Sequence, residues 1–204
     1  MTAPGTFPAR ADIAQDLIAR VEAAHRTWRA PAHVRAAATA EGTQAAHSAA
    51  HADPQALRWI VTKHGWPGRS LVGDDGSQAA LTIALQADHD QAFQRTLLTM
   101  LAEAVRRGDA TTAQWARLHD RCLVHSGHPQ QYGTQYWVRD GEIELHPVAD
   151  PTGLAKRRAD VGLPPQRDGI ALLERHHFAD TSPAATTSAT SISSKSGTTQ
   201  RHAA

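Results

Sequence analysis

The fold is decided by residues 77–89, which read SQAALTIALQADH. Alanine, leucine and isoleucine occupy most positions around the circumference of this segment, so it predicts a helix that is buried on nearly all sides. We expect it to lie at the centre of the domain. Its exceptions are Gln78, Thr82 and Gln86, which recur every four residues and therefore share one stripe. Two interpretations of this stripe stay open: it faces solvent, or it lines a polar pocket.

Amphipathic segments on both sides are predicted to pack around this central helix. Apolar residues recur at helical spacing over 11–28, 54–64, 90–107 and 112–125. Thr111 and Gln114 match a capping box at the start of the last of these segments. Residues 73–76 are glycine-rich and acidic, and we expect them to form a loop before the central helix. A shorter helix is expected within 150–162, after an Asp-Pro start.

A β-hairpin is predicted over about 134–147. The dipeptide Asp140-Gly141 suits a two-residue turn with positive φ angles, and such a turn determines which residues pair across the strands. The pairs are Arg139 with Glu142, Val138 with Ile143, Trp137 with Glu144, Tyr136 with Leu145, and Gln135 with His146. The predicted fold class is therefore mainly α (α+β), with five or six helices packed around the central helix and one hairpin.

The composition of the chain limits the classes of function. The 204 residues carry 21 Lys+Arg against 20 Asp+Glu, which does not favour nucleic acid as a partner. One cysteine excludes an internal disulfide and a cysteine-only metal site. No apolar run approaches the roughly 20 residues that span a bilayer, so no membrane contact is expected. The N-terminus shows no export signal, which makes a cytoplasmic location the expectation. The oligomeric state stays open.

The chain divides into three predicted parts. Residues 1–52 are expected to be an N-terminal appendage, with one amphipathic helix and an alanine- and histidine-rich linker. Residues 53–178 are expected to form the globular domain. Residues 179–204 are rich in Ser, Thr and Ala with almost no bulky apolar side chains, which predicts a disordered tail.

Several familiar kinds of site are not indicated by the sequence. Four histidines near the hairpin could approach one ion (His119, His125, His128 and His146), but no recognised zinc-binding spacing is present, so we predict no metal site. Cys122 lies on a predicted core stripe, where a thiol is usually an apolar filler. The nucleophile elbow, the phosphate-binding loop and the dinucleotide fingerprint are all missing from the sequence. We therefore expect no bound cofactor.

The polar connector PQQYGTQ, residues 129–135, is the predicted site. The candidate catalytic residues are Asp120, Tyr132 and His128, which can move protons. The candidate substrate-binding residues can hydrogen-bond a ligand, clamp an anion or offer an aromatic surface; they are Gln130, Gln135, Arg121, Gln86, Thr82 and Trp66. The structural alternative is that Gln130 and Gln135 satisfy main-chain groups beside the hairpin while Asp120 pairs with Arg157 or Arg158.

Short strings in the sequence resemble those of a known family. They are HGWP at 64–67, VGDDGSQAA at 72–80, ADHDQAFQ at 87–94, PQQYGTQ at 129–135, DP at 150–151 and RRADVGL at 157–163. Together they resemble an uncharacterised bacterial domain family with HGWP and PQxYGTQ signatures, over roughly residues 54–174. The resemblance implies a mostly helical domain and no established reaction. Proteins of that family often have histidine where this chain has Gln86, and a glutamine cannot replace a histidine base.

Two functions from different classes follow from these residues. The first is a cytoplasmic enzyme that acts on a small molecule by metal-independent general acid–base chemistry, of hydrolase, lyase or cyclase type. The second is a non-catalytic accessory domain that binds a peptide or a protein, with Trp137 and Trp66 as exposed anchors. A closed polar pocket around Asp120 and Tyr132 would favour the enzyme, and a flat patch around Trp137 would favour the binding domain.

Overall fold

The structure is a computed structural model that describes residues 8–29, 54–139, 142–168 and 170. Within these ranges the elements follow in the order α1 (Ala11–Arg29), α2 (Pro54–His64), α3 (Arg69–Gln86), α4 (Gln91–Arg106), α5 (Thr112–His125), β1 (Tyr136–Arg139), β2 (Glu142–Leu145) and α6 (Leu154–Asp160). The two strands form one antiparallel hairpin. The predicted fold class, mainly α with one hairpin, is therefore confirmed.

Helix α3 lies at the centre of the packing, as predicted. It contacts α1, α2, α4 and α5. Its buried apolar side chains point in several directions around the helix: Ala79, Ala80, Leu81, Ile83 and Ala84. Short alanine side chains let neighbouring helices approach closely, while leucine and isoleucine fill the space between them.

Helix α3 begins earlier than expected, because residues 73–76 continue it instead of forming a loop. The helix is kinked at Gly73, where φ is 73° and ψ is 178°, a conformation that favours glycine. Gly76 is buried against α1: a Cβ atom there would lie 2.7 Å from Cβ of Val72 and 3.2 Å from Cβ of Ala14. Gly73 therefore allows the kink, and Gly76 allows α1 to approach α3 closely.

Helix α1 confirms the amphipathic helix predicted over 11–28, and it belongs to the same core as the other helices. Ile13, Ala14, Leu17 and Ala24 are buried in the apolar cluster that includes α3. The sequence pattern alone places this helix in an appendage, because the surface that covers its apolar side lies on α3, which is distant in the sequence. The predicted linker after α1 and the predicted tail over 179–204 lie outside the described residues.

The hairpin has the predicted register. Tyr136 pairs with Leu145, Trp137 with Glu144, Val138 with Ile143 and Arg139 with Glu142. The predicted turn residues, 140 and 141, lie outside the described ranges. On one face of the hairpin, Nε1 of Trp137 donates a 2.6 Å hydrogen bond to Glu144, and the indole lies 4.1 Å from the ring of His146.

The predicted capping box is confirmed, whereas the helix start predicted at Asp150-Pro151 is wrong. Asp90 accepts a hydrogen bond from the main chain of Phe93 at the start of α4, and the capping box of Thr111 and Gln114 opens α5. Helix α6 begins only at Leu154, after a turn in which Asp150 accepts from the N–H of Gly153. No helix in the described part of the chain is long and apolar enough to cross a membrane.

Candidate functional site

Asp120, a predicted catalytic residue, holds the PQQYGTQ connector against α5. Its side chain is completely buried. It accepts hydrogen bonds from the main-chain N–H groups of Gln131, Tyr132 and Thr134, at 2.8 to 3.1 Å, and from the hydroxyl of Thr134 at 2.9 Å. The connector, rather than another helix, buries this carboxylate. Four donors from one loop satisfy its oxygens, so its surroundings are those of a structural anchor.

Gln130, within the connector, and Arg158, on α6, hold the same connector through hydrogen bonds to its main chain. Gln130 is buried, donates to the carbonyl oxygens of Gln135 (3.0 Å) and His146 (2.8 Å), and accepts from the N–H of Gln135 at 2.9 Å. The buried Arg158 donates to the carbonyl oxygens of Tyr132 and Gly133, at 2.7 and 2.9 Å. Gln130 thus satisfies main-chain groups beside the hairpin, as the structural alternative predicts. Arg158, in contrast, donates to carbonyl oxygens and does not pair with Asp120.

Tyr132 packs in an aromatic group with Trp115 and His119. The rings of Trp115 and His119 are stacked with their centroids 4.7 Å apart, and the ring of Tyr132 lies edge-on to both. Burial, with a further contribution from Asp120, raises the pKa of the Tyr132 hydroxyl, so it stays protonated at neutral pH. His128, the third predicted catalytic residue, is exposed just after α5.

The predicted binding residues on α3 and beside it lie in different surroundings. Gln78 is exposed, and Thr82 is partly buried with its hydroxyl donating to the carbonyl oxygen of Gln78 at 3.1 Å. Gln86 is partly buried at the end of α3. Trp66 is only 3% exposed and belongs to the core. The expectation that Trp66 is an exposed anchor is therefore wrong, because its side chain is buried in the apolar core.

A second group of polar side chains meets where α3 ends and α4 and α5 run past it. We call it the Asp88 cluster; it consists of Asp88, Gln94, Arg121, His125 and Gln135. Arg121 holds Asp88 through two hydrogen bonds: Nε donates to Oδ1 at 3.1 Å, and Nη2 donates to Oδ2. Nη1 of Arg121 donates to Oε1 of Gln135 at 3.4 Å. Arg121 therefore links the connector to the segment after α3.

His125 lies between Gln94 and Asp88. Its Nδ1 atom is 2.9 Å from Oε1 of Gln94, and its Nε2 atom is 3.5 Å from Oδ1 of Asp88. Gln94 is completely buried, and its amide nitrogen donates to the carbonyl oxygens of Ala84 at 3.0 Å and Leu85 at 3.4 Å. Burial and the charge of Arg121 lower the pKa of His125, although Asp88 opposes the shift. The imidazole is therefore neutral at pH 7.

The Asp88 cluster is reachable from solvent, whereas the Asp120 anchor is not. The exposed fractions of the side chains are 34% for Asp88, 24% for Arg121 and 18% for His125. A neutral imidazole beside an ion pair, at a partly open position, can exchange a proton with a bound molecule. Of the residues predicted from the sequence, Arg121 and Gln135 belong to this cluster.

Sequence reasoning missed Asp88, Gln94 and His125 as site residues. One local signal was present: Arg121 and His125 are four residues apart and therefore share a face of α5. Gln94 gave another, since it is a polar residue between the core residues Phe93 and Leu97 of α4. Neither signal identifies Asp88, which reaches Arg121 only because α3 and α5 pack together.

The described residues give little support to metal-binding or thiol chemistry. Within residues 8–29, 54–139, 142–168 and 170, no three His, Cys, Asp or Glu side chains are grouped so that they could hold a metal ion. Cys122 is half-buried in α5, and burial raises the pKa of its thiol, which makes it a poorer nucleophile at neutral pH.

Comparison with known proteins identifies a family. The sequence profile of a family of unknown function, DUF6624, matches residues 11–179. This range includes α1 and extends beyond the region recognised from the short strings. No curated protein and no solved structure shows significant similarity to the chain. Because the match covers most of the sequence, the chain belongs to DUF6624, a family of unknown function.

Proposed function

We propose that this domain is an enzyme that acts on a small molecule by general acid–base chemistry, with His125 as the group that accepts and returns the proton. One observation carries the proposal: a partly exposed imidazole lies between a buried amide and an Asp–Arg pair. The proton-transfer role thus falls to the Asp88 cluster rather than to Asp120. Roles for Tyr132, His128, Thr82 and Gln86 stay predictions.

The electrostatics of the cluster favour an unprotonated His125 that is able to accept a proton. A general base must be unprotonated before the reaction, and the lowered pKa of His125 provides that condition at neutral pH. When the imidazole takes up a proton, the carboxylate of Asp88 lies 3.5 Å from Nε2 and stabilises the new positive charge. Arg121 holds the Asp88 carboxylate in position through its paired hydrogen bonds.

The proposed step conserves atoms and charge. The X–H bond of the substrate or of a water molecule breaks, its electron pair stays on X, and the proton forms an N–H bond with His125. The electron pair on X then forms a bond to an electrophilic atom or a double bond to the neighbouring atom, and the bond to the leaving atom breaks. The leaving atom keeps that bond's electron pair and takes the same proton from the imidazolium. Hydrolysis, elimination and ring closure all use this sequence of proton transfers.

A specific observation also favours a second candidate, a binding domain. Trp59 on α2 is a large apolar side chain that is 53% exposed. It lines a cleft of about 390 Å³ between α1 and α2, together with Ile13 and Ile60. Exposed tryptophan is typical of binding surfaces. This cleft replaces Trp66 and Trp137 as the proposed anchor surface, because Trp66 is buried and Trp137 packs against Glu144 and His146.

The enzyme proposal is tested by screening small metabolites for thermal stabilisation of the full chain, and then following each bound compound by NMR for conversion. His125→Gln should still bind the hit but convert it at least about 100-fold more slowly, which matches the usual contribution of a general base. His25→Gln, an exposed histidine on α1, is the matched control and should convert the hit at the wild-type rate. Equal conversion by His125→Gln and wild type would reject the proposal, as would binding without any conversion.

A further inference from the structure

The orientation of the Gln94 side-chain amide is determined by its surroundings. Its nitrogen faces the carbonyl oxygens of Ala84 and Leu85, in the last turn of α3, and lies 3.5 Å from Oδ1 of Asp88. Carbonyl groups at a helix end need donors, and an amide nitrogen supplies two. Turning the amide over would place its oxygen against three other oxygens in a buried position. The oxygen must therefore face His125.

The amide oxygen in turn determines where the proton sits on His125. An amide oxygen only accepts hydrogen bonds, so the ring atom 2.9 Å away, Nδ1, must carry the hydrogen. A neutral imidazole has one N–H, so Nε2 then carries the lone pair. We infer that Gln94 is a positioning residue that holds neutral His125 in the Nδ1–H form and makes Nε2 the proton acceptor of the site.

The surroundings of Nε2 agree with this assignment. Nε2 and Oδ1 of Asp88 are 3.5 Å apart, longer than the usual 2.7–3.2 Å of a hydrogen bond, as two acceptors require. Proton uptake at Nε2 creates a donor that faces the carboxylate. The charged groups around the ring are Asp88, from the segment after α3, and Arg121, from α5.

The glutamine next to Nδ1 has a different effect from an aspartate or glutamate, which is the partner of many catalytic histidines in other enzymes. A carboxylate partner would stabilise the imidazolium and raise the pKa of the histidine, whereas a neutral amide orients the ring without adding a negative charge. His125 is therefore held in its unprotonated form, with Nε2 able to accept a proton. The catalytic consequence of the Nδ1–H form rests on the proposed function. If His125 is the base, the first proton must come from a hydroxyl group, an amine or an acidic C–H bond of the substrate, or from a bound water molecule.

The test is a long-range ¹H–¹⁵N spectrum of the histidine side chains of the uniformly labelled full chain above pH 7. The expected result is a protonated-type shift at Nδ1 of His125 and an unprotonated shift at Nε2, with exposed His25 as the reference. Gln94→Leu removes the acceptor and should give a mixture of both forms.

Each of these results supports or rejects the Nδ1–H assignment of His125. An Nε2–H form in the wild type overturns it without any variant, so the test stands even if Gln94→Leu fails to fold. A folded Gln94→Leu protein with an unchanged tautomer also overturns it, because a merely structural glutamine would affect stability alone. The tautomer is independent of turnover: if the wild type shows Nδ1–H but His125→Gln converts the hit normally, only the proposed function fails.

Discussion

The carboxylate of Asp120 accepts hydrogen bonds from both the main-chain N–H and the side-chain hydroxyl of Thr134, at 3.1 and 2.9 Å. These two residues are separated by the turn of the connector, so their contact closes the loop onto α5. Because the carboxylate is completely buried, no water molecule can accept hydrogen bonds from the donors that a substitution of Asp120 would leave unpaired.

Asp120→Asn should therefore destabilise the domain strongly. An asparagine keeps the shape but has one acceptor oxygen, and its NH₂ group would face the N–H groups of the connector. We expect a loss of about 3 kcal/mol in the free energy of unfolding, measured by chemical denaturation. Asp75→Asn, at an exposed position of α3, is the control and should change stability by less than about 0.5 kcal/mol. A change below about 1 kcal/mol at Asp120 would contradict the anchor role.

Gly76→Ala should destabilise the domain although alanine favours helices. The new Cβ atom would lie 2.7 Å from Cβ of Val72 in the same helix and 3.2 Å from Cβ of Ala14 in α1, so both the kinked start of α3 and its contact with α1 would have to adjust. The expected cost is about 1–3 kcal/mol, typical of overpacking, measured by thermal and chemical unfolding. Gln78→Ala, exposed on the same helix, should have little effect. A more stable Gly76→Ala protein would show that α1 is not packed closely here.

The stability of the domain should fall as the pH decreases from about 6.5. Burial lowers the pKa of both His119 and His125, so the unfolded chain, with an ordinary pKa of 6.5, binds more protons in this range. The stabilisation is complete above pH 6.5 and is lost progressively as the pH falls toward the folded pKa values. Denaturation curves between pH 7.5 and pH 5 should show this slope.

The variant His125→Gln separates this effect from general acid denaturation. It removes one of the two titrating groups, so its stability should depend less steeply on pH between about 6.5 and 5. Carboxylates with lowered pKa, such as Asp90 and Asp150, lose their stabilising charge only at lower pH, below the usual aspartate value of 3.8. Identical slopes for the variant and the wild type would contradict the lowered pKa of His125.

Deletion of residues 180–204 should leave thermal stability unchanged. These residues lie beyond the family match, and their composition offers almost no bulky apolar side chains to bury. The melting temperatures of the full chain and of the shortened chain provide the measurement. A clear decrease on deletion would show that the tail contributes to the folded domain.

Much of the fold could be predicted because it depends on neighbours along the chain. The capping box of Thr111 and Gln114 involves residues three apart, and the register of the hairpin follows from the two-residue turn that the sequence predicts. The central position of α3 follows from apolar residues on nearly all its sides. The membership of α1 in the core could not be predicted, because it depends on a match between Ala14 and Gly76 that no local pattern contains.

The candidate site divides in the same way. The sequence by itself determined that polar groups concentrate from Asp120 to Gln135, and it determined the helices that carry Gln94, Arg121 and His125. Only the tertiary structure decided which of these groups hold main chain and which remain accessible. Asp88 and Arg121 are 33 positions apart, and Gln94 and His125 are 31 apart. Such pairs meet only when helices pack at a particular angle and depth, and that packing depends on side-chain shapes contributed by the whole domain.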